Sequence, residues 1–166
     1  MKQLVLTVVG EDQSGLVEKV ANIVMNHQGS WLTSNLSHLA GYFAGIVQIE
    51  VPDEQVNPLK QQLDAIEHVT VKEQTVSNKS GGEQLNFVIT GNDRPGIVHE
   101  LSSIIKHKGA NIIQFTSKQQ SAPNWGVPLF NAIATVELPE HMSKDVVIEA
   151  LESLANDLIV DIEAVH

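Results

Sequence analysis

The sequence predicts an α+β protein in which the ferredoxin-like order βαββαβ occurs twice along the chain. Three observations lead to this prediction: an internal repeat, β-branched runs of alternating polarity, and helical stripes of apolar residues. A shift of 81 residues superposes Gly10, Asp12, Gly15 and Val17 on Gly91, Asp93, Gly96 and Val98. In each copy, two helices are expected to cover one face of an antiparallel sheet.

The repeat sets the expected domain boundaries. We expect a first domain over residues 1–77, a linker over 78–84 and a second domain over 85–166. The segment SNKSGGEQ at 77–84 is polar and rich in Ser and Gly, which is typical of a flexible linker. The segment QIEVP at 48–52 matches TVELP at 135–139, after the second copy has gained a longer hairpin.

The first copy begins with QLVLTVV, whose alternation and β-branching predict a strand. A helix follows, with five apolar residues expected on one face: Leu16, Val17, Val20, Ile23 and Val24. Gly29 is expected to end this helix, and a one-residue slip would align it with Gly109 and make the first helix one residue longer. Two strands, WLTSNLSHL and FAGIVQIEV, then precede a second apolar stripe (Val56, Leu59, Leu63 and Ile66) and the strand HVTVKEQTV.

The second copy repeats this order. Its predicted elements are a strand at 85–91, a helix at 96–108, strands near 111–119 and 129–138, a helix at 142–156 and a strand at 158–165. The apolar stripe of its first helix comprises Ile97, Val98, Leu101, Ile104 and Ile105.

Composition and charge exclude several function classes. The net charge is −10, and both halves are acidic, with 9 acidic and 5 basic residues in 1–80 and 11 and 5 in 81–166. Direct nucleic-acid binding is therefore not expected, because it needs a cluster of Lys and Arg. There is no cysteine and no apolar run of the roughly 20 residues that cross a bilayer. A cytoplasmic location without membrane contact is expected.

The turn GNDRPG at 91–96 carries the strongest functional signal, and it holds the sole arginine of the chain. Asp93 is expected to cap the following helix, Pro95 to lie in its first turn, and Gly96 to let another group approach the backbone. The positive helix end would favour an anion, with Asn92 and Arg94 as additional donors. The alternative is a capped strand-to-helix turn that binds nothing.

The pattern strand–NDRPGIV–helix–KGANI–strand resembles the ACT domain, a small regulatory module of amino-acid metabolism. The tandem arrangement covers nearly the whole chain. It is similar to the glycine cleavage system transcriptional repressor group in GSWLTSNLSHLAGYFAGIVQIEVP and in the longer hairpin SAPNWGVPLFNAIATVELP. The first copy departs from the D-R-P-G pattern, because Gln13 and Ser14 replace Arg and Pro.

The resemblance implies an amino-acid site at this loop, with backbone amides holding the carboxylate and Asp or Asn side chains holding the ammonium. In the second copy it would comprise Asn92, Asp93, Arg94, Pro95, Gly96, Ile97 and Asn111. In the first copy the matching positions are Asp12, Gln13, Ser14, Gly15, Leu16 and Asn35, with Glu11 and Ser34 beside them. Neither a catalytic residue, a cofactor nor a metal is expected.

Other chemistries have weaker support. The seven histidines lack a metal-ligand spacing, and His27, His99 and His107 are expected on solvated helix faces. The fold also suits acylphosphatase-like hydrolases, in which Arg94 and Asn92 would hold phosphate, but the glycine-rich loop differs. An RNA-recognition sheet would need stacking aromatics that this sequence lacks.

Trp125 lies in a hairpin bounded by Pro123 and Pro128, and packs either on a partner or on its own domain. Open sheet edges favour pairing of the two copies, and a homodimer. We therefore expect a non-enzymatic regulator that binds a small amino acid, glycine if the resemblance extends that far. It would act as a transcriptional corepressor through a protein partner such as a transcription factor. The alternative is a regulatory subunit that acts in trans on an amino-acid enzyme.

Overall fold

The computed structural model describes residues 1–11, 14–67, 69–73, 81–121 and 126–163, with only the backbone for 71–73. The chain divides into two compact units, Met1–Asn78 and Lys79–His166. Each unit has its own hydrophobic core. Asp12, Gln13 and Trp125 lie outside the described residues.

The first unit contains two helices and a four-stranded sheet. Its elements are β1 (Lys2–Glu11), α1 (Leu16–Asn26), β2 (Ser30–Leu39), β3 (Tyr42–Val51), a 3-10 turn (Asp53–Gln55), α2 (Val56–Asp64) and β4 (Val69–Glu73). The strand order is β2-β3-β1-β4, and the neighbouring strands are antiparallel.

The second unit repeats the same topology. Its elements are β5 (Gln84–Asn92), α3 (Ile97–His107), β6 (Asn111–Gln120), β7 (Leu129–Glu137), α4 (Lys144–Glu152) and β8 (Ile159–Glu163). The strand order β6-β7-β5-β8 is again antiparallel throughout. The predicted fold of two ferredoxin-like βαββαβ units is therefore confirmed.

The helices bury a narrower stripe than the sequence predicts. Leu16, Val20 and Val24 are buried in α1, as are Ile97, Leu101 and Ile105 in α3. Val17 and Val98 were expected on these faces, but their exposed fractions are 42% and 44%. A step of about 100° per residue turns the position after the first buried residue away from the sheet. The fully buried stripe therefore follows every fourth residue, and Ile23 and Ile104 are half-buried and pack against the cores, as predicted.

Gly29 does not end α1 in the way the sequence predicts. Both α1 and α3 have 11 residues, so there is no slip. The left-handed residue after α1 is Gln28, with φ 57°, and its counterpart after α3 is Gly109, with φ 75°. Equivalent backbone bonds then close the two helices, from Gly29 N–H to Val24 O (2.8 Å) and from Ala110 N–H to Ile105 O (3.1 Å).

Gly29 is instead required by close packing. A Cβ at this position would lie 2.8 Å from Cγ1 of both Val24 and Val51, and 2.9 Å from the Val24 carbonyl oxygen. Glycine therefore lets the end of α1 approach the end of β3. This contact between distant segments is not visible in the local sequence.

His27 also differs from its prediction. It was expected on a solvated helix face, but it is 9% exposed at the end of α1. Its Nδ1 is hydrogen-bonded to Gln55 Oε1 at 2.8 Å, which joins α1 to the 3-10 turn. Its Nε2 has no partner among the described residues. His99 and His107 are exposed, as predicted.

The fourth helix is shorter than the predicted 142–156. Ser143 caps α4 at its start, where Ser143 Oγ accepts a hydrogen bond from Asp145 N–H at 3.3 Å. The described part of the predicted linker, 81–84, contacts the second unit: Gly82 N–H donates to Glu137 Oε1 at 2.7 Å. Among the described residues, no helix is long and apolar enough to span a membrane.

Candidate ligand loop at the start of α3

The loop predicted to bind a ligand joins β5 to α3. It follows the end of β5, where Gly91 pairs with Phe130 and Asn92 with Leu129 of β7. The helix begins at Ile97, after a turn that contains Asp93, Arg94, Pro95 and Gly96. The β6–β7 end of the sheet therefore lies beside this loop.

Asp93 is not the cap of α3. The capping residue is Gly96, and no side chain caps the helix. The Asp93 carboxylate instead accepts a hydrogen bond from Gln119 Nε2 at 2.6 Å, and its backbone N–H donates to Pro128 O at 2.7 Å. Pro95 precedes the capping residue, so it lies before the first helical turn. Asp93 is held by the β6–β7 hairpin because both partners come from there.

Gly96 has a left-handed backbone with φ 85°, a conformation that favours glycine. No atom lies within 4 Å of the position that a Cβ would take there, so this side of the backbone is open. Gly15 caps α1 with φ 86°, and a Cβ on Gly15 would have Glu18 Oε2 as its nearest neighbour, at 3.9 Å. The matched glycines of the repeat are therefore conformationally equivalent.

The start of α3 is accessible from solvent. Ile97 N–H makes a 3.3 Å bond to Arg94 O, and Glu100 N–H makes a 3.0 Å bond to Gly96 O. The N–H groups of a first helical turn lack partners within the helix, and the helix dipole makes this end positive. Since no side chain caps α3, this end can accept an anionic group.

Arg94 forms an ion pair with Glu100, with 2.6 Å between Nη2 and Oε2. The hydrogen bond between them lowers the pKa of Glu100 and raises the pKa of Arg94 from their ordinary values. The stabilisation of a carboxylate with a lowered pKa is present at neutral pH and is lost as acid protonates it. Both side chains are exposed, so this contribution is small. A ligand carboxylate would have to share Arg94 with Glu100.

Asp157 belongs to this loop in space, although sequence reasoning missed it. It lies between α4 and β8, and its Oδ2 accepts a hydrogen bond from Asn92 N–H at 2.7 Å. The separation in sequence is 65 residues, and no motif marks this position. The structure thus brings Asp157 and Gln119 to the loop from two other segments.

One predicted site residue of the second unit lies away from the ligand loop. Asn111 begins β6, eight residues before Gln119, which corresponds to roughly 26 Å along a strand. It pairs with Glu137 at the far end of the sheet from the loop. Within this unit, Asn111 therefore does not join Asp93 and Arg94.

In the first unit, Asn35 pairs with exposed Ile46, whereas its neighbour Ser34 pairs with buried Val47. Since side chains alternate along a strand, Asn35 points to the sheet face opposite the helices. Ser14 and Gly15 are exposed at the start of α1, and Leu16 is buried in the core. Across the described ranges, no group of three or more His, Asp or Glu side chains could hold a metal ion.

The comparisons with known proteins concern the first unit and the fold. Residues 2–70 match the family model of the ACT domain. No curated protein sequence matches the chain.

Two solved structures cover nearly the whole chain. One is an unknown protein from Galdieria sulphuraria, with 22% identity, 99% coverage of both chains and a TM-score of 0.83. The other is a candidate glycine cleavage system transcriptional repressor, with 12% identity, 99% coverage of this chain, 98% of the other and a TM-score of 0.71. At these identities, the two likenesses concern the fold. Residues 2–70 therefore match the ACT-domain family model, and the second unit repeats the fold of the first.

Proposed function

We propose that this protein is a non-enzymatic amino-acid sensor that regulates transcription by protein contact. The observation that carries this proposal is the exposed start of α3, where the backbone at Gly96 is open and Asp93 precedes it in the same turn. A free amino acid is a zwitterion, and this loop offers a positive helix end for its carboxylate and a negative side chain for its ammonium. The ACT domain over residues 2–70 supports a regulatory role.

The donors for the ligand carboxylate follow from the bonds already made. The N–H groups of Asn92 and Asp93 are bonded to Asp157 and Pro128, so they are occupied. The N–H groups of Ile97 and Glu100 are bonded to Arg94 O and Gly96 O. The ligand would therefore bind the N–H groups of Gly96, Val98 and His99. Arg94 would add a charged donor when it turns from Glu100.

The second unit is the proposed binding unit. Its loop has the Arg and Pro that Gln13 and Ser14 replace in the first unit. Glycine is the proposed ligand, on the basis of the fold shared with the candidate glycine cleavage repressor. Glycine also needs no side-chain pocket beside the open backbone.

The proposed partner is a DNA-binding protein, and the protein would not bind DNA itself. The net charge of −10 opposes contact with phosphates. Ligand binding would favour the loop conformation that the partner recognises, and would thereby change the fraction of the protein that is bound to its partner. Outer strands of the two sheets, such as β2 and β6, would also allow pairing into a homodimer.

Capture of cell proteins on the immobilised chain, with and without glycine, tests the partner. Recovery of a transcription factor in a glycine-dependent amount is expected. Recovery of an amino-acid enzyme instead would support the in-trans regulatory subunit and contradict transcriptional control. A matched control is the variant Asp93→Asn, which should capture the same amount with and without glycine.

Replacement of Gly96 by alanine should weaken amino-acid binding by about tenfold, because a left-handed alanine is strained by about 1 kcal/mol and its methyl group covers the open backbone. The measurement is calorimetric titration with glycine. Gly41→Ala is the matched control. Gly41 also has a left-handed backbone, with φ 84°, and no atom lies within 4 Å of the position that its Cβ would take. Because Gly41 lies in the first unit, equal weakening in both variants would contradict a local effect at the ligand loop.

A further inference from the structure

Asp157 connects the ligand loop to a distant part of the second unit. Its Oδ2 accepts the backbone N–H of Asn92 at 2.7 Å, and its charge acts on the Arg94 guanidinium. Hydrogen bonds to an ionised acceptor are stronger than neutral ones. The carboxylate of Asp157 therefore acts on two parts of the loop: the backbone at the end of β5 and the side chain of Arg94.

The packing of Gly91 shows how closely the two segments approach. A Cβ at Gly91 would lie 2.9 Å from Leu158 Cδ1 and 3.4 Å from the carbonyl oxygen of Asp157. Any larger residue would push the connection between α4 and β8 away from β5. Gly91 thus lets Asp157 reach the backbone of Asn92.

Among the described residues of the first unit, the register position of Asp157 is not occupied by a carboxylate. Val69 pairs with Val8, and Val160 pairs with Ile89, so these strand residues occupy matching positions. Three residues before each of them, the first unit has Ile66 and the second has Asp157. Ile66 packs against the hydrophobic core of its unit. Within the part of the chain that the structure describes, the bond between a carboxylate and this loop is found in the second unit.

We propose that Asp157 is a positioning residue for ligand binding, which holds residues 92–96 in the conformation that leaves the start of α3 open. This inference rests on the proposed function. Asp157 fixes Asn92 from one side, while Pro128 and Gln119 fix Asp93 from the other. A loop that is ordered before binding loses less conformational entropy when the ligand arrives. This arrangement makes the second loop the tighter site of the two.

Three variants test the inference: Asp157→Ala, the conservative Asp157→Asn, and Asp161→Ala, at an exposed position of β8, as a control for the change in charge. Two quantities are measured, amide hydrogen exchange at Asn92 by NMR and the affinity for glycine by calorimetry. Asp157→Ala should speed exchange at Asn92 and weaken binding, each by about tenfold. Asp157→Asn keeps an acceptor oxygen and should therefore retain most of the exchange protection at Asn92 and most of the affinity for glycine. Asp161→Ala should change neither.

The outcomes separate the inference from the function on which it rests. Wild-type affinity in Asp157→Ala, or unchanged exchange at Asn92, would overturn the role of Asp157 while the sensor itself remains. Failure of Asp157→Asn to restore exchange protection would also overturn it, because the acceptor oxygen is then not what holds the loop. Absence of glycine binding in the wild type would overturn the proposed glycine sensor, and with it any role of Asp157 in binding.

Discussion

Asp93→Ala is expected to weaken glycine binding by about tenfold to a hundredfold, which corresponds to the loss of one charge-assisted contact. Asp93 lies in the turn that leads into the open start of α3, and its carboxylate would hold the ligand ammonium. Calorimetric titration of the purified variant measures the effect. Asp12→Ala in the first unit should bind as the wild type does, since we place the site in the second unit.

Two further variants separate the charge of Asp93 from its role in the loop. Asp93→Asn keeps an oxygen that can accept the hydrogen bond of Gln119, so the loop should stay in place while the charge is lost. Gln119→Leu removes that bond and keeps the charge. Weak binding is expected in the first and a smaller loss in the second, because Gln119 only helps to order the loop. The opposite order would contradict a direct contact between Asp93 and the ligand.

Gly45→Ala is expected to destabilise the first unit by about 2 kcal/mol or more, because a well-packed site resists added atoms. A Cβ at Gly45 would clash with the carbonyl oxygen of Asn35, and it would lie 2.8 Å from both Cα and Cδ2 of Leu36. β2 is an outer strand and would have to move away from β3 to accept this methyl group. Urea titration, followed by circular dichroism, measures the change in the free energy of unfolding.

A change in the neighbouring side chain is not expected to rescue this variant. In the second unit, buried Ala132 pairs with Ser117, whereas in the first unit Gly45 pairs with the larger Leu36. The clash in Gly45→Ala is with backbone atoms of Asn35 and Leu36, so the double variant with Leu36→Ser should stay at least as destabilised. Gly41→Ala is the control, and should lose only about 1 kcal/mol from backbone strain. A Gly45→Ala protein as stable as the wild type would contradict the close approach of β2 and β3.

The fold could be predicted because its signals are local and repeated. Alternation in QLVLTVV and the stripe of Leu16, Val20 and Val24 each appear within a few residues of sequence. The internal repeat then fixed the order of elements in the second unit from that in the first. Element ends were predicted less well, as for α4, because Ser143 caps this helix later than its apolar residues indicate.

The contacts of the loop could not be predicted, because each joins residues far apart in sequence. The local position of Asp93 predicted a helix cap, but its carboxylate accepts a hydrogen bond from Gln119, which is 26 residues away in sequence. Asp157 is 65 residues from Asn92 and stands in no motif. Gly29 illustrates the same limit. A glycine is needed there because Val51, which is distant in sequence, lies close to it, and not because the helix ends there. Local patterns indicated where the loop is, and tertiary contacts decide what each residue does.

The most direct test of the proposed sensor is calorimetric titration of the wild-type protein with glycine, serine and the other common amino acids. Binding of glycine at one site per chain is predicted, with the affinity reduced in Asp93→Ala and kept in Asp12→Ala. If none of these amino acids binds at millimolar concentration, the start of α3 is only a strand-to-helix turn. The protein would then act through contacts with partners alone, and the amino-acid sensor would be contradicted.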